Sequence, residues 1–191
     1  RGVVLVEMRP PQPGDFTVVR QGRSGSSVEW RPYGAALRSA MGSGTNPIVL
    51  AHNAVLPDVF DVVVGLVWDG SHTGDQHHGG VCLLSSTQDT AVSFDIMNSG
   101  LAIRYYYLNF ILEGRVALRS YNVAPGVLLF MRIVQDGTNR RFYVGSNGKD
   151  WVLFFERPIE HVTEDLRFGV LVDARNAETD FIVHFVHWSV S

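Results

Sequence analysis

The chain has 191 residues, of which 46% are hydrophobic, so it is long enough to bury the core of one domain. Its net charge of −3 gives no general attraction to nucleic acid or to an anionic membrane, and we predict neither partner. The longest apolar runs, residues 62–68 and 127–134, are far shorter than the roughly 20 residues that cross a bilayer, so we predict no membrane insertion.

Residues 1–47 differ in composition from the rest of the chain. They hold five of the eight prolines and a flexible polar stretch at 21–27. Here we expect strands at 3–8 and 15–19, loops around the Pro and Gly clusters, and a short helical turn at 33–41. We therefore predict a proline- and glycine-rich segment, residues 1–47, that packs on or leads into a β-sandwich at 48–191, as a single domain overall. The first residue is Arg and not Met, which suggests a processed product or an excised domain.

From residue 48 onward, short runs rich in β-branched and aromatic residues alternate with turn signals. One further helical turn is expected at 158–165, and no window sustains a helical apolar stripe. Eleven strands are predicted, at 48–51, 59–68, 80–86, 91–97, 101–110, 115–121, 128–135, 141–145, 151–156, 167–173 and 181–189. This spacing predicts one all-β domain, an antiparallel sandwich or barrel.

The clearest segment is 128–151, where Asp136-Gly137 and Asn147-Gly148 separate apolar runs. Asp-Gly and Asn-Gly are strong hairpin signals, because glycine takes the positive φ angles that tight turns need. The turn that ends at Trp151 is similar to the S-x-D-G-x-x-W turn of a known group, with Asn-Gly displaced by one. Four further segments carry the same similarity: 60–66, 79–84, 166–173 and 181–185.

Residues 30–191 thus resemble the concanavalin A-like lectin/glucanase superfamily, in its laminin G-like and pentraxin-like branch. The resemblance implies an antiparallel β-sandwich of the jelly-roll type. It also implies that carbohydrate would bind on the concave sheet face or at the loop rim.

Glucan-cleaving members of this superfamily carry a Glu-x-Asp-x-Glu strand, which sets carboxylates side by side on one face. This chain has no such strand. Its nearest acidic cluster is Glu156, Glu160, Glu164 and Asp165, which we interpret as a solvated connection. A Gly-x-Ser-x-Gly elbow is also missing, so we predict that the protein is not an enzyme and has no catalytic residues.

The loop at 68–80 is the most polar long connection in the chain. Its candidate ligand-binding residues are Asp69, His72, Asp75, His77 and His78. Their spacing fits no zinc signature, so we predict neither a metal nor another cofactor. Calcium prefers oxygen ligands and, if bound at all, would take Asp69 and Asp75. The alternatives are an exposed binding rim without metal and a plain connection.

The tyrosine-rich strand at 101–110 is the second candidate ligand surface. Alternation would put Arg104 and Tyr106 on one face, with Arg119 and Tyr121 from the neighbouring strand beside them. Tyrosine rings stack on sugar faces, and arginine donates to hydroxyls. The alternative is ordinary sheet packing, since tyrosine is a good strand former.

Other aromatic residues and the single cysteine receive separate predictions. Trp68, Trp151 and Trp188 are expected to cap the core. Trp30 and Tyr33 are interface candidates, since Trp, Tyr and Arg dominate interface energetics. Cys82 lies in an apolar run and is expected to be a buried thiol.

Together these features predict a non-catalytic, lectin-like recognition domain. The first hypothesis is an attachment module of a virion or phage tail fibre that binds a cell-surface glycan or receptor, outside the cell or on the virion surface. It would be a homo-oligomer, and a trimer if the parent is a fibre. The alternatives are a carbohydrate-binding module of a secreted enzyme and a structural assembly domain that binds only protein neighbours.

Overall fold

The structure is a computed structural model. It describes residues 5–69, 76–85, 87, 90–97, 100–106, 112–120, 124–160 and 162–191, of which 76, 97, 100–106 and 112–120 are described by backbone alone. These residues form fourteen strands and no helix. The strands are β1 Phe16–Gln21, β2 Ser27–Arg31, β3 Gly34–Ser39, β4 Ile48–His52, β5 Phe60–Asp69, β6 Gln76–Leu84, β7 Ala91–Met97, β8 Gly100–Tyr106, β9 Leu112–Ser120, β10 Leu128–Gln135, β11 Asn139–Gly145, β12 Val152–Pro158, β13 Arg167–Arg175 and β14 Phe181–Val190.

The strands form two seven-stranded antiparallel sheets. Sheet A has the order β1-β4-β13-β6-β7-β8-β9, and sheet B has the order β12-β11-β10-β5-β14-β3-β2. Strands that are distant in the chain are neighbours in both sheets, as β4 and β13 are in sheet A and β5 and β14 in sheet B. The predicted antiparallel β-sandwich is confirmed. No helix in the described part of the chain is long and apolar enough to cross a membrane.

The core lies between the two sheets, and strand β5 shows why the sequence builds it. Every second residue of β5 is apolar and at most 2% exposed: Phe60, Val62, Val64, Leu66 and Trp68. Because successive side chains of a strand point to opposite faces, this alternation buries one face of sheet B. The indole Nε1 of Trp68 donates to the backbone oxygen of Gly79 at 3.1 Å, which ties β5 to β6 across the sandwich. Trp68 is therefore a core residue, as predicted.

Sheet A has a second buried apolar cluster on the face turned away from this core. Its members are at most 1% exposed: Val49, Ala51, Cys82, Leu84, Ala91 and Leu171. Strand pairing puts Leu171 opposite Val49 and Leu84 opposite Ala91, so these residues share a face. Burial raises the pKa of the Cys82 thiol far above its usual range, with the nearby Asp95 charge adding to the effect. The predicted buried thiol is confirmed.

The hairpin of β10 and β11 is also confirmed, with Gln135 opposite Arg140 at its closed end. The Asp136 side chain fixes this turn, since its Oδ1 accepts from the backbone N–H groups of Thr138 and Asn139, both at 2.7 Å. These bonds, together with the Arg141 guanidinium, hold the pKa of Asp136 well below its ordinary value.

Several expectations for local structure were wrong. The strand expected at 3–8 is not formed by its described residues, 5–8. The stretch 33–41 is strand β3 and not a helical turn, because its apolar residues Ala35 and Leu37 alternate with outward residues and pack into the core. The stretch 158–165 has no helix among its described residues, and β12 runs to Pro158. The stretch 21–27, which was expected to be flexible, contains the first residue of β2, Ser27.

Residues 16–39 supply β1 to sheet A and β2 and β3 to sheet B. Ahead of them, the segment Leu5–Pro11 has no strand and lies along β14. Its contacts include backbone bonds from Trp188 N to Arg9 O at 3.0 Å and from Val6 N to Asn147 O at 2.9 Å. We call this segment the N-terminal strap.

Candidate functional site

The predicted ligand residues of the 68–80 loop occupy different environments. Asp69 is the last residue of β5 and its side chain is 63% exposed. His77 is buried, and its ring stacks on Phe181 with 4.5 Å between centroids and 5° between planes. Its Nε2 donates to the backbone oxygen of Thr179 at 3.0 Å, so the His77 ring is held within the packing.

His78 is 2% exposed and lies on the opposite face of β6 from His77. Strand pairing puts it opposite Asp173, and the neighbouring Gly80 lies opposite Asp95. Both carboxylates are fully buried on this face of sheet A. Asp173 accepts from the Arg23 guanidinium at 2.8 Å, and Asp95 accepts from the hydroxyl of Ser93 at 3.0 Å.

The second predicted ligand surface is described by backbone register alone. Arg104 lies opposite Ser93 in β7. Tyr106 lies opposite Ala91, on the same face of sheet A, whereas Arg119 in β9 lies opposite Leu101, on the alternate face. The register therefore does not bring Arg119 to the face of the other two. His72, Asp75 and Tyr121 lie outside the described residues.

The two predicted interface residues, Trp30 and Tyr33, differ in exposure. Trp30 is partly buried and packs against the main core. Tyr33 is 42% exposed and stands in the turn that joins β2 to β3.

Tyr33 borders a shallow cleft of about 130 Å³ on the outer face of sheet B. We call it the Tyr33 cleft. Its lining residues are Ser27, Glu29, Arg31, Tyr33, Ala36, Arg38, Ile182 and His184.

Strand register explains how these residues meet. Glu29, Ala36 and His184 lie side by side across β2, β3 and β14. Ser27, Arg38 and Ile182 form the next outward-facing row. Alternation thus points one polar stripe of three neighbouring strands at solvent, while Ala35 and Leu37 face the core.

A chain of contacts joins the cleft to the predicted loop rim. The hydroxyl of Tyr33 and the Nδ1 of His184 are joined by a 2.8 Å hydrogen bond. The Nε2 of the same ring lies 3.5 Å from Oδ2 of Asp69. In the tautomer that carries its proton on Nε2, Nδ1 accepts from the phenol, and in either tautomer this contact holds the Tyr33 ring beside the cleft. The structure thus brings together two of the predicted residues, Asp69 and Tyr33.

The charges of the cleft are paired. Arg31 donates to the carboxylate of Glu29, and Arg38 lies 3.1 Å from Oδ2 of Asp180, the residue directly before β14. The backbone N–H of Met41 also donates to Asp180 at 3.0 Å. This bond, and then Arg38, lowers the pKa of Asp180, which keeps its carboxylate charged. Such a surface offers donors and acceptors in alternation, without an excess of cations.

A second depression, of about 420 Å³, lies where the N-terminal strap meets β14. It is lined by Val6, Glu7, Met8, Arg9, His187, Trp188 and Ser189. The guanidinium of Arg9 stands 3.9 Å above the Trp188 ring. The backbone N–H of Arg9 donates to Nδ1 of His187 at 2.9 Å. Burial lowers the pKa of His187, and the Arg9 charge lowers it further, so this ring is a neutral acceptor near pH 7.

Sequence reasoning missed His184, Glu29 and Arg31 as cleft residues. A signal existed for His184, because Ile182 and His184 alternate with the apolar Phe181, Val183 and Phe185 in the last strand. His184 reaches the same row as Glu29, on the other side of Ala36, only because β14 pairs with β3, which is more than 140 residues away in the chain. Strand order of that kind is not readable from local patterns.

No protein-family model matches the chain, and no curated protein matches it. Solved structures do match. The carbohydrate-binding module CBM66 from Bacillus subtilis superposes with a TM-score of 0.65 at 11% identity, over 93% of this chain and 95% of that one. Lectin II from Ulex europaeus superposes with a TM-score of 0.64 at 8% identity, over 97% of this chain and 95% of that one. The alginate lyase from Corynebacterium sp. superposes with a TM-score of 0.61 at 14% identity, over 93% of this chain and 93% of that one.

These likenesses extend over almost the whole of each chain, while the identities are too low to carry more than the fold. The three proteins include one enzyme and two that are named for binding, so the shared fold does not decide whether this chain is catalytic. The chain therefore shares the antiparallel β-sandwich fold of these three proteins, which is the fold that the sequence resemblance implies.

Proposed function

We propose that this protein is a carbohydrate-recognition domain and that the Tyr33 cleft is a contact site. One observation carries the proposal: an exposed tyrosine ring, fixed through His184 and Asp69, stands over a cleft lined by paired charges. The apolar face of a sugar stacks on such a ring, and its hydroxyls need both donors and acceptors. Arg31 and Glu29 supply one of each.

Two structurally similar proteins, a carbohydrate-binding module and a lectin, support the same function by analogy of fold. A single sugar ring has about a dozen non-hydrogen atoms. At about 0.3 kcal/mol per atom, it would gain on the order of 3–4 kcal/mol, which corresponds to a Kd in the millimolar range. Useful affinity would then need several copies of the domain held together, since joining several binding sites in one assembly can raise the overall affinity by roughly 10²–10⁴.

We further propose that the domain is an attachment module of a virion or tail fibre, exposed outside the cell or on the virion surface. It would act as a homo-oligomer, a trimer in a fibre, to reach useful avidity. The support is the predicted absence of a catalytic motif and the weak affinity expected of one site. A carbohydrate-binding module of a secreted enzyme, and a structural assembly domain, are the alternatives.

The predicted rim residues His72 and Asp75 follow Asp69 in the chain and are proposed to extend the same contact surface. Of the remaining predicted ligand residues, Arg104 and Tyr106 share one face by register and are a second proposed surface, with Tyr121 proposed as a further contact. His77 and His78 are buried and Arg119 is on the alternate face, so these three are not part of it. The two surfaces are separable by mutation because the Tyr33 cleft lies on sheet B, whereas Arg104 and Tyr106 belong to β8 of sheet A.

A glycan array, run with and without calcium, tests the proposal directly. We expect binding by the natural chain and loss of that binding in Tyr33→Ala. Tyr143→Ala is the matched control, because Tyr143 lies on the same sheet in β11, where its ring faces Arg132 and not the cleft. Equal loss in both variants, or none in either, would contradict a role for the Tyr33 ring.

A further inference from the structure

The shape of the Tyr33 cleft limits what it can hold. Its floor is Ala36, the smallest side chain in the row formed with Glu29 and His184. At about 130 Å³ it is well below the roughly 300–1,000 Å³ that enclose a drug-sized ligand. The space admits one ring and not a run of several.

Two cross-strand contacts bracket this space along the direction of β3. On one side, Tyr33 reaches His184 at 2.8 Å, and on the other, Arg38 reaches Asp180 at 3.1 Å. Ala36 lies between them, two residues from Arg38 in the strand. A ring inside a polymer continues at both ends and would meet these contacts, whereas a ring at a chain end continues at only one.

The charges argue against an acidic sugar. Each arginine of the cleft already has a carboxylate partner, Glu29 for Arg31 and Asp180 for Arg38. A sugar carboxylate would have to displace one of these partners. It would also approach Glu29 and the exposed Asp69, and like charges at short range disfavour binding. Uncharged hydroxyls, by contrast, can accept from an arginine and donate to a carboxylate without breaking either pair.

We propose that the Tyr33 cleft binds one uncharged sugar ring at the end of a glycan chain. The inference rests on the proposed carbohydrate function and adds the class and the position of the ring. Tyr33 supplies the stacking surface, Glu29 and Arg31 bind neighbouring hydroxyls, and Ala36 leaves the room that the ring occupies.

The test uses the full chain on an array of neutral oligosaccharides with defined ends, together with alginate and polygalacturonate fragments. The expected result is binding to neutral ends, competition by the matching free methyl glycoside, and loss after an exoglycosidase removes the end ring. Ala36→Leu should fill the cleft without removing a polar group and weaken binding at least about tenfold. Val63→Leu is the control, because Val63 is a half-buried, outward-facing residue of β5 outside the cleft.

The other outcomes separate the inference from the function on which it rests. Binding that prefers the acidic polymers, or that survives end trimming and grows with chain length, overturns the inference and leaves carbohydrate recognition standing. Binding to neutral ends that Ala36→Leu does not weaken overturns the placement in this cleft. No binding to any glycan on the array overturns both.

Discussion

The turn between β11 and β12 offers a sharp test of the fold, because Gly148 is constrained in two independent ways. Its φ is +76°, in the left-handed region, and a Cβ added there would lie 2.6 Å from Cγ1 of Val6 in the N-terminal strap. Gly126 has the same φ constraint, +75°, with nothing within 4 Å. Gly137 has open space and no positive φ in that range. Alanine at the three positions therefore separates backbone strain from steric overlap.

The left-handed conformation costs a non-glycine residue about 1–2 kcal/mol, and forced overpacking adds about 1–3 kcal/mol. We expect Gly137→Ala to be nearly neutral, Gly126→Ala to cost about 1–2 kcal/mol and Gly148→Ala about 2–5 kcal/mol. At roughly 2–4 °C per kcal/mol for a domain of this size, Gly148→Ala should lower Tm by about 4–20 °C. Gly148→Val should cost more, since a β-branched residue tolerates positive φ poorly.

Thermal and urea unfolding of the three variants measure these costs. Equal losses for Gly148→Ala and Gly126→Ala would show that the strap moves aside freely and that the contact with Val6 carries no energy. An unchanged Tm for both Gly148 variants would refute the assigned turn itself.

Further predictions concern pH, catalysis and the cleft. Because the folded state lowers the pKa of His187, it resists protonation, so the free energy of unfolding should be steady above about pH 6.5 and fall as the pH drops below that value. His187→Asn keeps an acceptor for Arg9 without titrating, and should reduce this slope in denaturant titrations between pH 7.5 and 5; an unchanged slope would contradict the argument. Glucan, xylan, chitin and alginate fragments should stay intact on long incubation, and product release abolished by Glu160→Gln or Glu164→Gln would overturn the non-catalytic prediction. Tyr33→Phe should keep the stacking ring but lose the bond to His184. Its affinity for glycans should therefore lie between those of the natural chain and Tyr33→Ala, and tighter binding by Tyr33→Ala than by Tyr33→Phe in direct titrations would contradict the stacking role.

The fold could be predicted from the sequence because its signals are local. Strand β5 alternates buried and outward residues over ten positions, and Gly148 takes a positive φ where the chain reverses after Asn147. The Asp136-Gly137 turn is fixed instead by the Asp136 side chain, and its glycine has no positive φ. These features depend on neighbours in the chain, so the residue order contains them. The error at 33–41 arose because two alanines and a leucine suit either a helix or a strand.

The site was less predictable because it depends on strand order. Asp69 was a candidate on composition and Tyr33 on residue type, but nothing local connects them. His184 bridges the two, and it does so only because β14 lies between β3 and β5. His77 shows the opposite error, in which a polar residue in a polar-looking stretch is packed on Phe181. Composition identifies polar residues, whereas register decides which of them face solvent together.

Nuclear magnetic resonance titration of the full chain with the monosaccharide identified on the array tests the central claim most directly. If the Tyr33 cleft binds the sugar, the backbone signals of Arg31, Ala36 and His184 should shift progressively and saturate with one common Kd in the millimolar range. Tyr33→Ala should abolish those shifts and Tyr143→Ala should preserve them. Shifts confined to sheet A, around His78 and Asp173, with the cleft signals unmoved, would contradict the account.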